Sequence, residues 1–298
     1  MSQRSATYDA KLLRRPFRRW WRETGWRHLV GVGVVVFSVF PLIYVFSASL
    51  NPGGTLITAN NLFSNFSFDS YVELFNRPQQ PYAAWFLNTL FIGLTAAAGS
   101  VLLGALAAYA FSRMRFTGRR FGLITLVLVQ MFPQLLAMVA IFLLMLGIGE
   151  VFPAIGLNSQ IGLIMVYLGG ALGVNTYLMY GFFNTVPTSI DEAARIDGAG
   201  HARIFFTIIL PLVSPILAVV ALLSLVGTLS EFVIASVLLR DPERQTLAVG
   251  LYQFISQETS QNWSIFAAGA VLAAIIPVAL FLVLQRYIVS GLVAGSVK

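Results

Sequence analysis

Cysteine is absent from this 298-residue chain, so no disulfide, thiolate nucleophile or cysteine-based metal site can enter its chemistry. Lysine occurs only at Lys11 and Lys298. A phosphate-binding loop of the Gly-x4-Gly-Lys-Ser/Thr kind needs a lysine directly after its glycine turn, and neither lysine follows one. The chain is therefore expected not to hydrolyse ATP by itself. Histidine is as scarce: His28 and His201 lie far apart, make no cluster of zinc-ligand spacing, and His201 reads as a solvated loop residue. No Ser/His/Asp set and no paired carboxylates fall together in an apolar stretch, which argues against an intramembrane hydrolase. Charge is the most telling shortage. Charged residues make up only 10% of the chain, whereas a soluble domain needs about 25% to cover its surface.

Apolar residues take up the difference, at 57% of the chain. A hydrocarbon layer about 30 Å thick asks for runs of about 20 apolar residues at 1.5 Å rise each. Six such runs can be read, near 29–50, 86–112, 121–147, 160–182, 205–229 and 265–285. The expected fold class is thus an all-α polytopic membrane protein with six transmembrane helices. In this division, 1–28 is a basic cytoplasmic segment, 29–50 the first span, 51–85 an extracytoplasmic connection, 86–290 the helical core and 291–298 a cytoplasmic tail.

Sixteen of the nineteen Lys and Arg residues lie before the first span, in the second and fourth connections, or in the tail. The other connections hold only Arg77, Arg240 and Arg244. By the positive-inside rule both termini are cytoplasmic. The net charge of +7 is then a topology signal, since its arginines flank apolar spans and do not form the basic face that nucleic acid requires. Ser47, Ala48 and Ser49 behind an apolar run resemble a cleavage site, but a run of about 22 residues exceeds the ~7 to 15 of a signal core and reads as an uncleaved anchor. Ahead of it, arginines alternate with Phe17, Trp20, Trp21 and Trp26, the pattern of an interfacial helix on anionic lipid.

Inside the spans the sequence reads mainly as packing. Ala96, Ser100, Gly104 and Ala108 recur every four residues, a small-residue stripe on which another helix can approach closely. Pro41, Pro133, Pro211, Pro215 and Pro277 favour kinks, because each removes a backbone donor. Glu231 is the acidic residue set in the long apolar stretch Phe205 to Leu239. Counted along a straight helix from Pro211 it lies about 30 Å on, near the outer interface. Two readings stay open for it: a residue of the substrate path or gate, or an interfacial helix end. A break near Gly227 to Glu231 would leave Phe232 to Leu239 as a short re-entrant piece, tolerated only under a cover of protein.

The connection between the fourth and fifth spans is the most informative segment. It reads Pro-Thr-Ser-Ile-Asp-Glu-Ala-Ala-Arg-Ile-Asp-Gly from Pro187 to Gly198. Ser189 and Glu192 have the spacing of a capping box, which predicts a helix start there. Gly198 is where the helix should stop, because glycine accepts the left-handed cap conformation. A helix near 189–198 is too short to be stable alone in water. It should be held by docking, with Ile190, Ala193 and Ala194 as the expected contact face.

These residues carry a resemblance. Glu192-Ala193-Ala194, three residues, Gly198, nine residues, then Ile208-x-Leu210-Pro211 matches the EAA motif of ABC-importer permeases at each fixed position. Roughly residues 85–298 further resemble the smaller, MalG-like permease of maltose/maltodextrin importers. Ser236-Val-Leu-Leu-Arg-Asp241, Gln245-Thr-Leu-Ala-Val-Gly250 and the stretch from Gln285 to Lys298 carry that likeness. The basic leader and Asn51 to Gln80 depart from it.

The resemblance implies a type I ABC-importer permease fold and a bacterial inner-membrane assembly. Its members would be this chain, a second, larger permease, two ATPase subunits that use ATP and magnesium, and an extracytoplasmic sugar-binding protein. Glu192, Ala193, Ala194 and Gly198 would form the coupling helix on the ATPase, flanked by Asp191, Arg195, Asp197 and Ala199. Tyr252 to Trp263 would face the binding protein, and the tail would reach toward the ATPase. No cofactor is expected on this chain. The implied cargo is maltose or maltodextrin, with another oligosaccharide such as trehalose as the alternative. An ion-coupled secondary transporter would instead show related halves with midplane charges, and no clear repeat is seen.

Overall fold

The structure, a computed structural model, describes residues 21–52, 54–55, 61–63, 65–256 and 262–294. Most of the expected interfacial leader and the final tail residues 295–298 lie outside these. Among the described residues there is helix and no strand. Helix α1, Trp26–Ser49, follows directly from a wide turn at Trp21–Gly25. Then come α2, Asp69–Phe75, and α3, Tyr82–Arg113, which starts a turn before the apolar run because Tyr82 and Trp85 are themselves buried. Next are α4, Arg119–Gln130, α5, Gln134–Val151, and α6, Gln160–Phe183. The short α7, Thr188–Ile196, leads to α8, His201–Leu212. The chain ends with α9, Ser214–Ser230, α10, Val233–Leu238, α11, Leu247–Ile255, and α12, Trp263–Ala294.

Among the described residues three unbroken helices are long and apolar enough to cross a membrane, and up to six spans result if each bent pair counts as one. The pairs are α4 with α5, the two parts of α6, and α8 with α9. Large apolar side chains such as Phe37, Leu42, Phe121, Leu136 and Val139 stand outward. On a soluble protein such a belt would be an aggregation surface, whereas lipid solvates it at no cost.

The bundle is built on α3, which packs against α6 along one side and α9 along another, while α12 joins α9 to α1. The small-residue stripe explains the closest of these contacts. Ala96, Ser100, Gly104 and Ala108 are all buried, and a methyl added at Gly104 would lie 3.3 Å from the Met179 sulfur on α6.

The fifth span is not straight. Its two parts, α8 and α9, meet at 80°. Pro215 has no amide to bond the carbonyl four residues back, and Val213 turns out of helical geometry with φ −96° and ψ 9°. The straight count from Pro211 to Glu231 therefore fails: the membrane-crossing part starts at Ser214, giving about 26 Å by rise per residue. The chain breaks again at Glu231. Beyond it α10 buries Ile234, Ala235 and Leu238 against Ile92, Met145 and Leu163. The outer connection after it carries α11, which is largely buried, with Gly250 pressed against the Trp85 indole and Phe254 edge-on to that ring. Trp85 Nε1 donates to Pro242 O at 2.7 Å and Asn88 Nδ2 to Gln245 O at 3.0 Å, so the first turns of α3 fasten this segment.

Candidate coupling helix and translocation cavity

Helix α7 begins two residues earlier than the capping box predicts. Pro187 occupies the cap position, Ser189 lies within the first turn, and no side chain bonds the free amides. Proline fits this position because its fixed φ suits a helix start and it brings no N–H of its own to satisfy. The stop does follow the expectation. Gly198 has φ +80°, its N–H donates to Arg195 O at 3.0 Å, and the Ala199 N–H reaches back to Ala194 O at 2.9 Å. Those two bonds are the Schellman arrangement, in which a left-handed residue lets two terminal carbonyls find donors.

The faces of α7 differ from the expected ones. Ala194 and Asp191 are buried within this chain, Ala194 beside Ile204, Phe205 and Phe183. The outward face is Ser189, Glu192, Ala193 and Ile196, a set at helical spacing. Ile196 is 87% exposed, a large apolar group with no cover in this chain. Arg195, Asp197 and Gly198 are exposed beside it, and Ala199 is half-buried. The outward face thus differs from the expected set: Ala193 is on it, Ala194 is turned inward, Ile190 is half-buried and Ile196 is added.

Asp191 makes the link inward. Arg113 Nε, at the last residue of α3, lies 2.7 Å from Asp191 Oδ2, with both side chains almost fully buried. The Nε–H points off the line between the atoms, so this is an ion contact and not an aligned hydrogen bond. The same guanidinium donates from Nη2 to Val186 O at 2.7 Å, just ahead of α7. Arg113 was legible in the sequence only as one of several topology charges, because its partner lies 78 positions away. Tyr109, one turn earlier on α3, sits 3.5 Å from His201 Nδ1 and stacks near Phe205. His201, itself exposed, thus touches the bundle at this corner.

Between α3, α4, α5, α6 and α9 lies a cavity of about 1230 Å³. Its wall is mostly apolar, with a polar line formed by Ser100, Asn175, Ser224, Thr228, Tyr167 and Glu231. Asn175 Nδ2 donates to Ser224 Oγ at 3.0 Å. Glu231 stands at the end away from α7, half-buried, and its carboxylate accepts three donors. These are Tyr167 Oη at 2.7 Å, Ile234 N at 2.7 Å and Ala235 N at 3.0 Å. Glu231 lines the cavity and also ends α9, so it carries a feature of each of the two readings given for it. Tyr167 was missed by sequence reasoning, since a tyrosine in an apolar run carries no signal of its partner.

Tyr252 and Trp263 do not share a surface loop. Tyr252 is on α11, half exposed, with its ring 4.9 Å from Phe232. Trp263 opens α12, half-buried, and packs on Phe266 at 5.3 Å and beside Ala48 and Ala267. Residues 257–261 between them lie outside the described set. Among the described residues no group of three His, Asp or Glu could hold a metal.

Residues 100–293 match the family described as binding-protein-dependent transport system inner membrane component. The chain belongs to this family. The match contains α7 and every residue that lines the cavity except Ala96. Among curated relatives, the galactooligosaccharides transport system permease protein GanQ of Bacillus subtilis is 42% identical over 89% of this chain and 92% of its own. The maltose/maltodextrin transport system permease protein MalG of Escherichia coli K12 is 38% identical over 91% of this chain and 94% of its own. Among solved structures, a chain of a bacterial ABC transporter that imports the acidic polysaccharide alginate superposes with a TM-score of 0.72 at 25% identity. That match covers 92% of this chain and 99% of the other. This is the type I importer permease fold, and family members are transport components of the inner membrane.

Proposed function

We propose that this chain is one of two permeases in an ATP-driven importer of short oligosaccharides, with α7 as the helix that takes up the motion of a separate ATPase. The observation that carries this reading is the build of α7: an exposed face of Glu192, Ala193 and Ile196, backed by an ion pair to the end of α3. A helix of nine residues is marginal by itself; fastened in this way it becomes a handle on the bundle. Glu192, Ala193 and Gly198 would meet the ATPase or shape the contact, with Arg195, Asp197 and Ala199 at its margin. Asp191 and Ala194 would act from behind, by holding α7 to α3.

The cavity is half of a path, completed by the second permease, and Glu231 belongs to its outer closure. ATP and magnesium would be bound by two copies of the ATPase, and cargo would arrive on an extracytoplasmic binding protein. Tyr252 is the better exposed of the two residues suggested for that contact. Both termini would lie in the cytoplasm of a bacterial cell. Maltose or maltodextrin is the first choice of cargo. The identity with GanQ favours galactooligosaccharides as the second reading.

The test is reconstitution of the four-part assembly in proteoliposomes, with labelled maltodextrin and galactooligosaccharide offered separately. Uptake that needs ATP and loaded binding protein is expected, and the isolated chain should neither bind nor hydrolyse ATP. Uptake driven by an ion gradient without the ATPase would overturn the proposal.

A further inference from the structure

Helix α10 has only six residues and lies in an apolar setting, where every free backbone group needs a partner. Its partners come from few places. At the start, Glu231 accepts from the amides of Ile234 and Ala235, the first turn that no preceding carbonyl serves. The same carboxylate accepts from Tyr167, on the outer half of α6. At the far end, the Asn158 N–H donates to Leu238 O at 2.7 Å. Asn158 Oδ1 then accepts from Arg240 N and Asp241 N, each at 3.1 Å, and its carbonyl accepts from Arg244 Nη1 at 2.8 Å. Asn158 lies just ahead of α6 with φ +60°, a left-handed conformation that asparagine tolerates better than most residues.

Both ends of α10 are therefore tied to one element, α6 and the turn that leads into it. The buried face of α10 adds Leu163 and Ile164 of that same helix. Ile234 and Glu231 in turn form the cavity wall at the end away from α7.

We propose that Glu231 is a positioning residue which, with Tyr167 and Asn158, clamps α10 to the outer half of α6 and so holds the cavity shut on the side away from α7. This rests on the transport reading above and adds to it a specific latch. Glu231 and Asn158 act on backbone groups at the two ends of α10, and Tyr167 acts on the Glu231 carboxylate. Opening then requires these bonds to be released together, which gives two discrete states.

The chain has no cysteine, so a reporter placed in it is the one thiol of this subunit, and its label is read on the separated subunit. Gly227 lines the cavity and has open space around it, which makes Gly227→Cys a suitable probe. In the assembled transporter at rest, labelling of this cysteine by a membrane-impermeant maleimide from outside should be slow. Tyr167→Phe removes one hydroxyl and nothing else. Glu231→Gln keeps the size but turns one acceptor into a donor facing donors. Asn158→Gly keeps the backbone conformation and the bond to Leu238 while removing Oδ1. Tyr167→Phe should raise the labelling rate by about tenfold, the effect of losing one buried hydrogen bond on a two-state equilibrium, and the other two should raise it at least as much. Hydrolysis without binding protein should rise in parallel.

Unchanged labelling and hydrolysis in Tyr167→Phe and Glu231→Gln, in complexes whose unaltered form transports normally, would overturn the latch. Failure of the unaltered complex to transport would instead overturn the function on which the latch rests. If Glu231→Gln does not assemble, Tyr167→Phe decides the matter by the same criterion.

Discussion

Arg113 and Asp191 join the end of α3 to α7 through a 2.7 Å ion contact in which the side chains are 3% and 5% exposed. Two charges so far from water are costly to hold, and the cost is offset only while both are present. The pair fixes the register of α7 on the bundle. Removing either member alone, as in Asp191→Ala, should cost about 3 to 5 kcal/mol because the other charge is left buried and unpaired. Replacing both, Arg113→Met with Asp191→Leu, should restore most of that stability without restoring coupled transport. Thermal unfolding of the purified complex, measured beside sugar uptake, separates the two effects. A double variant as active as the parent would reduce the pair to packing.

Gly198 is limited by backbone geometry and not by space, since nothing lies within 4 Å of where a Cβ would sit. A β-branched residue at φ +80° is strained by roughly 1 to 2 kcal/mol, enough to undo the two cap bonds of α7 without unfolding the bundle. Gly198→Val should therefore insert normally yet lose uptake and the response of hydrolysis to loaded binding protein. Gly198→Asn should stay near the parent, because asparagine visits the left-handed region. Equal behaviour of Val and Asn, measured at matched membrane levels, would show that the cap does not matter.

Glu192 makes no cap bond in this chain, and its side chain is exposed. Glu192→Ala should then change the stability of the isolated subunit by no more than about 0.5 kcal/mol. Any larger effect must come from a partner. The expected result is normal expression with weaker retention of the ATPase on affinity capture. A drop in the melting temperature of the subunit alone would speak for an internal role instead.

Much of this architecture can be read from the residues because membrane spans and caps are local. Six apolar runs, the stop at Gly198 and the break at Glu231 each follow from neighbours in the chain. The start of α7 was misjudged because two local signals competed, and Pro187 outweighed the Ser189 and Glu192 pattern. The inward turn of Ala194, the partners of Arg113 and Glu231, and the role of Asn158 are set by elements far apart in sequence. Arg113 could not be told from Arg115 or Arg119 by spacing, although of these three it is Arg113 that meets a carboxylate among the described residues. The 80° bend was half legible: Pro211 and Pro215 marked its place, but its size depends on what α8 packs against.

Gly250 faces the Trp85 ring so closely that an added Cβ would stand 2.1 Å from it, and the indole is held by its bond to Pro242 O. The ring cannot swing away without losing that bond. Gly250→Ala should overpack the site and cost about 1 to 3 kcal/mol. A lower melting temperature of the complex is the expected reading. Relief by Trp85→Phe in the same chain would tie the effect to this contact, and its absence would mean that the backbone of α11 had moved instead.

The expected orientation of the chain rests on charges that lie at opposite ends of α3. Arg113 ends that helix, with Arg119 against Tyr180 and Arg195 on α7 at the same end. Arg240 and Arg244 flank Pro242, which Trp85 bonds at the beginning of α3, and Arg77 reaches Asn262 there. The two groups are separated by a helix of 32 residues, or about 48 Å at 1.5 Å each, enough to cross a bilayer. The α7 end carries most of the basic residues and should be cytoplasmic. Asp197 and Glu243 are exposed at the two ends and suit single cysteines. In sealed cells an impermeant reagent should label Glu243→Cys at once, and Asp197→Cys only after permeabilisation. Tags at either terminus should be reachable only from the cytoplasmic side. Immediate labelling at Asp197→Cys would invert the topology and put α7 out of reach of any cytoplasmic ATPase.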